Sequence, residues 1–293
     1  MLIRLLEKEK VIGIYQEKMP ADFAKGEIKP LERILELSEK KQYFCYGIFE
    51  EEEKEEKQEK VEKQEGQERL VSYCFLVTSA ERDAVLLDYF AVVAGIRGKG
   101  YGSRCLTLLK EEIRKKELGT LILEVENPRF GADEADRSLR RRRIDFYRRN
   151  GMTLTPLRIF LYQVEYLVMT SDAKQLMKAA DQIYRVYQVL LKPDKIKTRL
   201  KITSNIRCIV LNRELRTEAE MQTGNLEHDR LLPVGAVLEK AKEKGLLVVA
   251  DKNGLSETLN RKDVEPEECL FLEDEDPIAD TVEAILGLME GNI

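Results

Sequence analysis

A mixed α/β architecture in two units, a larger sheet-and-helix domain followed by a smaller α/β layer, follows from three features of the amino-acid pattern. Strand-length apolar runs alternate along the chain with segments whose apolar residues recur at helical spacing. Near residue 95 an apolar run passes through a glycine-rich turn into a helical pattern, the order strand, turn, helix. The length of 293 residues also exceeds the ~100–200 of one domain, so two cores are expected.

From the N-terminus, residues 12–19 and 31–41 carry apolar positions at helical spacing, among them Leu31, Ile34, Leu35 and Leu37, with Pro20 and Pro30 breaking the path between them. Residues 43–50 and 69–79 are aromatic and β-branched and predict two strands. The insert between them, 51–68, has one apolar side chain and cannot bury itself; it is expected as a solvated connection or a protruding charged hairpin. Residues 84–93 suit a strand buried on both faces, and a helix is predicted over 103–116. After Gly119 come a strand at 120–126, a polar stretch at 127–138, and a helix over 139–150 that stops at Gly151, a residue suited to the left-handed position past a helix end. Strands within 153–169 close the first domain, 1–168. An amphipathic helix within 171–191, ended by Lys192 and Pro193, connects it through 169–201 to the second unit. That unit, 202–293, predicts strand 207–211, helix 234–244, strand 246–250, strand 269–272 and helix 278–289.

Composition narrows the function classes. The 49 Lys and Arg nearly cancel the 54 Asp and Glu, leaving a net charge of −5, whereas a nucleic-acid binder is expected to be basic. Charges interrupt the first ten residues and no run of ~18 apolar residues follows, so neither a signal peptide nor a membrane partner is expected and the protein is placed in the cytoplasm. Cys45, Cys74, Cys105, Cys208 and Cys269 lie far apart, each in or beside an apolar run, which predicts buried free thiols and no metal.

The densest chemistry lies in Arg97, Gly98, Lys99, Gly100, Tyr101 and Gly102. Three glycines let successive N–H groups point inward, and a helix beginning near Ser103 adds its unsatisfied amides and positive dipole end. Arg97 and Lys99 supply charge suited to a pyrophosphate. A dinucleotide-binding turn would read G-x-G-x-x-G with an acidic residue about 20 positions on. Here the spacing is G-x-G-x-G, with Glu124 and Glu126 at roughly that distance, so spacing alone leaves that reading open. The antiparallel-looking strands ahead of the turn disfavour it.

In this stretch the sequence resembles the GNAT superfamily of N-acetyltransferases. The family's acetyl-CoA signature is Arg or Gln, two free positions, Gly, one free position, then Gly or Ala, matched here by Arg97, Gly100 and Gly102. A second family feature, an aromatic–Tyr pair in a helix ending in glycine, is matched by Phe146, Tyr147 and Gly151, with Leu123, Glu124, Val125 and Asn127 on the strand between. The resemblance covers residues 1 to about 168. It implies the GNAT fold, a mixed, mostly antiparallel sheet with strands splayed near 86–93 and 121–126 and flanked by helices. It further implies that acetyl-CoA, the acyl donor, lies on the turn against Arg97, Gly98, Lys99, Gly100, Tyr101, Gly102 and Ser103, near Asn127. Its pantetheine arm would then pair with backbone at Val92 and Val93.

Acyl transfer from a thioester to an amine requires a neutral amine, a polarised carbonyl and a proton for the departing thiolate. By resemblance, Tyr147 protonates the sulfur and the Val92 N–H polarises the carbonyl in direct transfer through a tetrahedral intermediate. For a base the residues offer Asp88 on the buried strand and Glu124 on the next, with Glu126 sharing Glu124's face by the strand period of two. A carboxylate half-shielded there has a raised pKa and can draw a proton. Tyr43, Phe44 and Tyr46 are candidates to line an acceptor pocket, half of them facing the core. Arg137, Arg140, Arg141, Arg142, Arg143, Arg148 and Arg149 cover most of a helix circumference and are expected to pair with neighbours such as Glu134 and Asp136. His228, the single histidine, falls outside the transferase region.

The second unit faintly resembles a haloacid-dehalogenase core, but Asn212 and Glu214 replace that family's paired aspartates, so phosphatase activity is not expected; Asp274, Asp276 and Asp280 form an acidic loop. Two functions follow: an acetyltransferase acting on a primary amine of a small molecule or protein, or a catalytically weak sensor or scaffold that binds coenzyme A.

Overall fold

A computed structural model describes residues 1–51, 68–162, 164–172, 178–204, 206–211, 234–249, 269–272 and 278–289. An eight-stranded sheet runs in the order β1 (Leu2–Leu5), β2 (Tyr43–Glu51), β3 (Glu68–Thr78), β4 (Ala84–Val92), β5 (Thr120–Glu126), β7 (Val164–Thr170), β6 (Thr153–Leu161), β8 (Leu200–Ser204). Every neighbouring pair is antiparallel except β4 with β5, which run parallel through the helix between them. This is the mixed, mostly antiparallel sheet that the sequence predicts.

Both faces of the sheet are covered, and strand alternation decides which residue goes where. On β3, Tyr73, Phe75 and Val77 join one core with Val11 and Ile14 of α1 (Lys8–Glu17), Met19 of α2 (Met19–Asp22), and Ile34 and Leu37 of α3 (Leu31–Glu39). Cys74 and Leu76 join the other, with Leu106, Leu109 and Ile113 of α4 (Tyr101–Lys115) and Ile144 of α5 (Glu134–Arg149). The helix expected over 139–150 begins earlier because Asp133 caps it, its carboxylate accepting from the Asp136 N–H at 2.8 Å. Glu134 and Asp136 in the first turn then favour the positive end of the helix, and Arg148 and Arg149 the negative end.

Residues 169–201, expected as a connector, contribute to the first core. Ala180, Ile183, Val186, Tyr187 and Leu190 of α6 (Ala179–Leu190) are buried with Ile122 and Val168, and β8 adds the eighth strand. Each fully buried aliphatic side chain on such a stripe contributes roughly 1.5–3 kcal/mol. Pro193, read as the stop of this helix, opens the next, α7 (Pro193–Arg199), where its missing N–H costs nothing. The insert joins two paired strands, since Glu51 and Glu68 are register partners; residues 52–67 lie outside the described ones.

The second unit has a three-stranded parallel sheet, β9 (Cys208–Leu211) between β10 (Leu247–Val249) and β11 (Cys269–Leu272). Val237, Leu238 and Ala241 of α8 (Val234–Glu243) and Val282, Ile285 and Leu286 of α9 (Ile278–Met289) pack on Ile209. All five cysteines are buried free thiols. Among the described residues no helix is long and apolar enough to cross a membrane.

Candidate functional site

β4 and β5 pair only from Ala84 with Thr120 to Leu87 with Leu123. Beyond that point β4 continues to Val92 against β3 alone and β5 to Glu126 against β7 alone, so a wedge opens between them. A bulge sits where they part: Leu76 faces Leu87 and Phe75 faces Tyr89, leaving Asp88 as the extra residue. Such a residue bends its strand and re-aims its side chains. Along the wedge, amides pointing from β4 toward β5 have no ladder partner. The Val93 N–H donates to Val71 O at 3.0 Å, on the β3 side, so alternation turns the Val92 N–H toward the wedge. β3 therefore uses Val93's donor, and Val92's remains.

The glycine turn follows directly. Gly98 and Gly100 adopt φ of 81° and 80° with open space around them, so left-handed backbone rather than crowding selects glycine there. Gly102 serves contact instead, because a Cβ would come within 3.1 Å of Phe146. The first bond into α4 is Arg104 N–H to Gly100 O at 3.3 Å. The amides of Tyr101, Gly102 and Ser103 precede it and have no carbonyl four residues back within the helix.

Charge in the turn is divided differently from the sequence expectation. The Arg97 Nε donates to Val92 O at 2.9 Å and its guanidinium pairs with Asp22, which also accepts from the Tyr73 hydroxyl at 2.7 Å. Arg97 thus fastens the turn to β4 and α2. Lys99 is exposed and forms no ion pair among the described residues. Tyr101 points toward β2 and β3, its hydroxyl donating to Glu50 at 2.7 Å and accepting from Arg69 at 3.3 Å. Free amides, a helix N-terminus and one lysine fit a diphosphate. The Asn127 side chain bonds within the chain, accepting from Arg129 N–H at 3.0 Å and donating to Glu165 at 2.7 Å.

On the α6 face, two carboxylates approach the wedge. Asp88 accepts from the Lys29 ammonium at 2.6 Å and from the Tyr43 hydroxyl, and the ammonium lies 5.3 Å from the Tyr89 ring centroid. Burial works against the Lys29 charge, but Asp88 overrides it and lifts the lysine above its ordinary value. Burial, reinforced by Asp88, also pushes Tyr43 well up. Glu124 accepts from the Tyr187 hydroxyl, which stands 2.7 and 2.8 Å from its two oxygens. Burial pushes the Glu124 carboxyl up to about 7, with Tyr187 and Lys29 pulling the other way and Asp88 adding to the rise. Glu124 can therefore take and release a proton near neutrality. Glu126 instead pairs with Arg140 at 3.1 Å and Arg143 at 2.9 Å.

Tyr147 packs on the core of the other face, its ring centroid 5.1 Å from that of Phe146. Phe90, on β4 past the parting point, stacks on Phe146 with centroids 6.4 Å apart, bringing this part of α5 beside the wedge. Burial pushes Tyr147 up to about 12 while Arg143 pulls it down. Phe44 and Tyr46 stack together, with Tyr46 fully buried, so of the three aromatics suggested for a pocket Tyr43 alone reaches the carboxylates.

The arginine-rich helix is mostly paired as expected, Arg140 with Asp136 at 3.0 Å and Arg141 with Glu134 at 3.0 Å. A groove of about 400 Å³ lined by Lys110, Ile113, Gly119 and Leu121 lies at the opposite end of β5 from Glu124. His228, Asn212, Glu214, Asp274 and Asp276 fall outside the described residues. Sequence reasoning missed Lys29, Tyr89 and Tyr187; for Tyr187 a signal existed, since a tyrosine at an apolar helix position needs a partner for its hydroxyl.

Comparison with known proteins gives one family match over part of the chain. Residues 13–152 match the model of the acetyltransferase (GNAT) family. The curated proteins contain no match. A solved structure assigned to GNAT acetyltransferases from Bacteroides thetaiotaomicron is 18% identical, with a TM-score of 0.46, covering 66% of this chain and 100% of its own. A ribosomal-protein-alanine N-acetyltransferase from Brucella melitensis is 19% identical, with a TM-score of 0.39, covering 58% and 98%. An aminoglycoside 6′-N-acetyltransferase complexed with coenzyme A is 13% identical, with a TM-score of 0.38, covering 58% and 96%.

Proposed function

Because residues 13–152 match the model of the GNAT acetyltransferase family, we propose that this chain transfers the acetyl group of acetyl-CoA directly to a primary amine of a small molecule or a protein. The observation that carries the reading is the parting of β4 from β5 immediately ahead of a turn whose amides are unclaimed. Acetyl-CoA, when bound, supplies the acetyl group as an activated thioester.

In this reading the amides from Gly98 to Ser103, with Lys99, hold the diphosphate. The Val92 N–H, turned into the wedge, donates to the carbonyl oxygen where charge develops. Glu124 takes the proton from the incoming ammonium, a task suited to a carboxyl near 7. Asp88 is a poor base because Lys29 and Tyr43 occupy it; its role is to keep the Lys29 charge in place. Tyr147 carries its proton at neutral pH and is the hydroxyl available to the departing sulfur on the α5 side. The Asp88 carboxylate and the Tyr89 ring already stabilise one alkylammonium, that of Lys29, which supports a cationic amine as acceptor.

Thermal shift with acetyl-CoA, followed by thiol release across a panel of primary amines, tests the proposal. Stabilisation with turnover on at least one alkylamine is expected. Stabilisation without thiol release on any amine would show a binding protein instead.

A further inference from the structure

Helix α6 lies outside the family-matched residues 13–152, yet one of its side chains touches the carboxylate on which the proposed chemistry depends. Tyr187 is 2% exposed, and its hydroxyl reaches both oxygens of Glu124. A phenol has one proton, so one contact is the donated bond and the other fixes the plane of the carboxylate. The helix is anchored along its length. The Arg185 guanidinium pairs with Asp83 just before β4, Gln182 donates to Asp83 O at 3.3 Å, and Arg33 of α3 donates to Val189 O at 2.6 Å. These bonds seat α6 along the paired stretch of β4 and β5 and bring Tyr187 to the place where the strands separate.

We infer that Tyr187, delivered by a helix beyond the family domain, is a positioning residue that orients Glu124 for proton abstraction, so that the C-terminal extension completes the acceptor half of the site. The inference rests on Glu124 being the base. The charged and titratable groups facing Glu124 are Tyr187 from α6, Lys29 from the connection between α2 and α3, Asp88 from β4 and Tyr166 from β7. Of these, the Tyr187 bond favours the ionised carboxylate directly. Its loss therefore makes Glu124 harder to ionise.

The test is the pH dependence of kcat/KM for the full chain with acetyl-CoA and an amine that turns over. In the wild type an acid limb near pH 7 is expected. Tyr187→Phe should move that limb upward by roughly one unit and lower the high-pH plateau, with the acetyl-CoA KM within about twofold of wild type. Incorporating 3-fluorotyrosine at position 187, a more acidic phenol of nearly the same shape, should move it downward, which keeps the question open to decision if the Phe variant folds poorly. Ile183→Ala, which loosens α6 without touching Glu124, should lower the melting temperature and leave the limb in place. A limb that stays put in both position-187 variants, or that moves equally in Ile183→Ala, overturns the positioning role. Retention of the wild-type limb in Glu124→Gln overturns the base assignment itself, a different failure with a different signature.

Discussion

The two halves of the proposed site are built in opposite ways. The cofactor half is one contiguous stretch, Arg97 to Ser103, made of backbone amides and two left-handed glycines. The acceptor half gathers Lys29, Asp88, Glu124 and Tyr187 from a loop, two strands and a helix. One tolerates changes of side chain and fails when the backbone cannot bend; the other tolerates backbone variation and fails when a single oxygen or hydroxyl is lost. Substitutions in the two halves should therefore separate cleanly into binding defects and turnover defects.

The sharpest separation is expected from Glu124→Gln, which should lower turnover roughly 10²–10⁴-fold while acetyl-CoA affinity, read by calorimetry, stays within about twofold. A variant that lost affinity in parallel would merge the halves. Gly100→Val should do the reverse, since a β-branched residue at φ 80° is strained by ~1–3 kcal/mol. Acetyl-CoA dissociation constants should rise about tenfold or more, with the turnover of saturated enzyme retained.

Stability against pH offers a smaller, independent check. Glu124 titrates at about 7 in the folded chain against an ordinary 4.5. Between those values the folded chain keeps a proton that the unfolded chain has released, so stability falls as pH rises through this window; below it the group contributes nothing, and above it the full cost is present. Urea midpoints of wild type minus Glu124→Gln should show that downward slope. A flat difference would mean that the carboxyl is not raised. The smallest effect belongs to Arg97→Gln. Its ion pair with Asp22 is exposed on the arginine side, so a change of about 0–1 kcal/mol in stability and no more than about fivefold in acetyl-CoA affinity is expected.

The same contrast explains how much was legible in the sequence. The turn could be read because backbone geometry leaves its mark in glycine positions, and the strand before it because burial on both faces needs an unbroken apolar run. The Arg97 ion pair could not be read, since nothing local shows that Asp22 reaches Arg97. The Val93 donor and the Asn127 amide were likewise spent on partners that only the folded chain supplies, Val71 and Glu165. Glu124 could be proposed from strand parity, but its separation from Asp88, one carboxylate held by Lys29 and the other by Tyr187, depends on tertiary contacts. The short edge strands β1 and β8 carry too few residues for a period to emerge.

A crystal structure of the chain with acetyl-CoA addresses the cofactor half most directly. The account predicts diphosphate oxygens within about 3 Å of the amides between Gly98 and Ser103, with the pantetheine arm in the wedge beyond Leu87 and Leu123 and the thioester carbonyl oxygen bonded to the Val92 N–H. A cofactor seated elsewhere, with those amides still turned to water and the wedge empty, would contradict it.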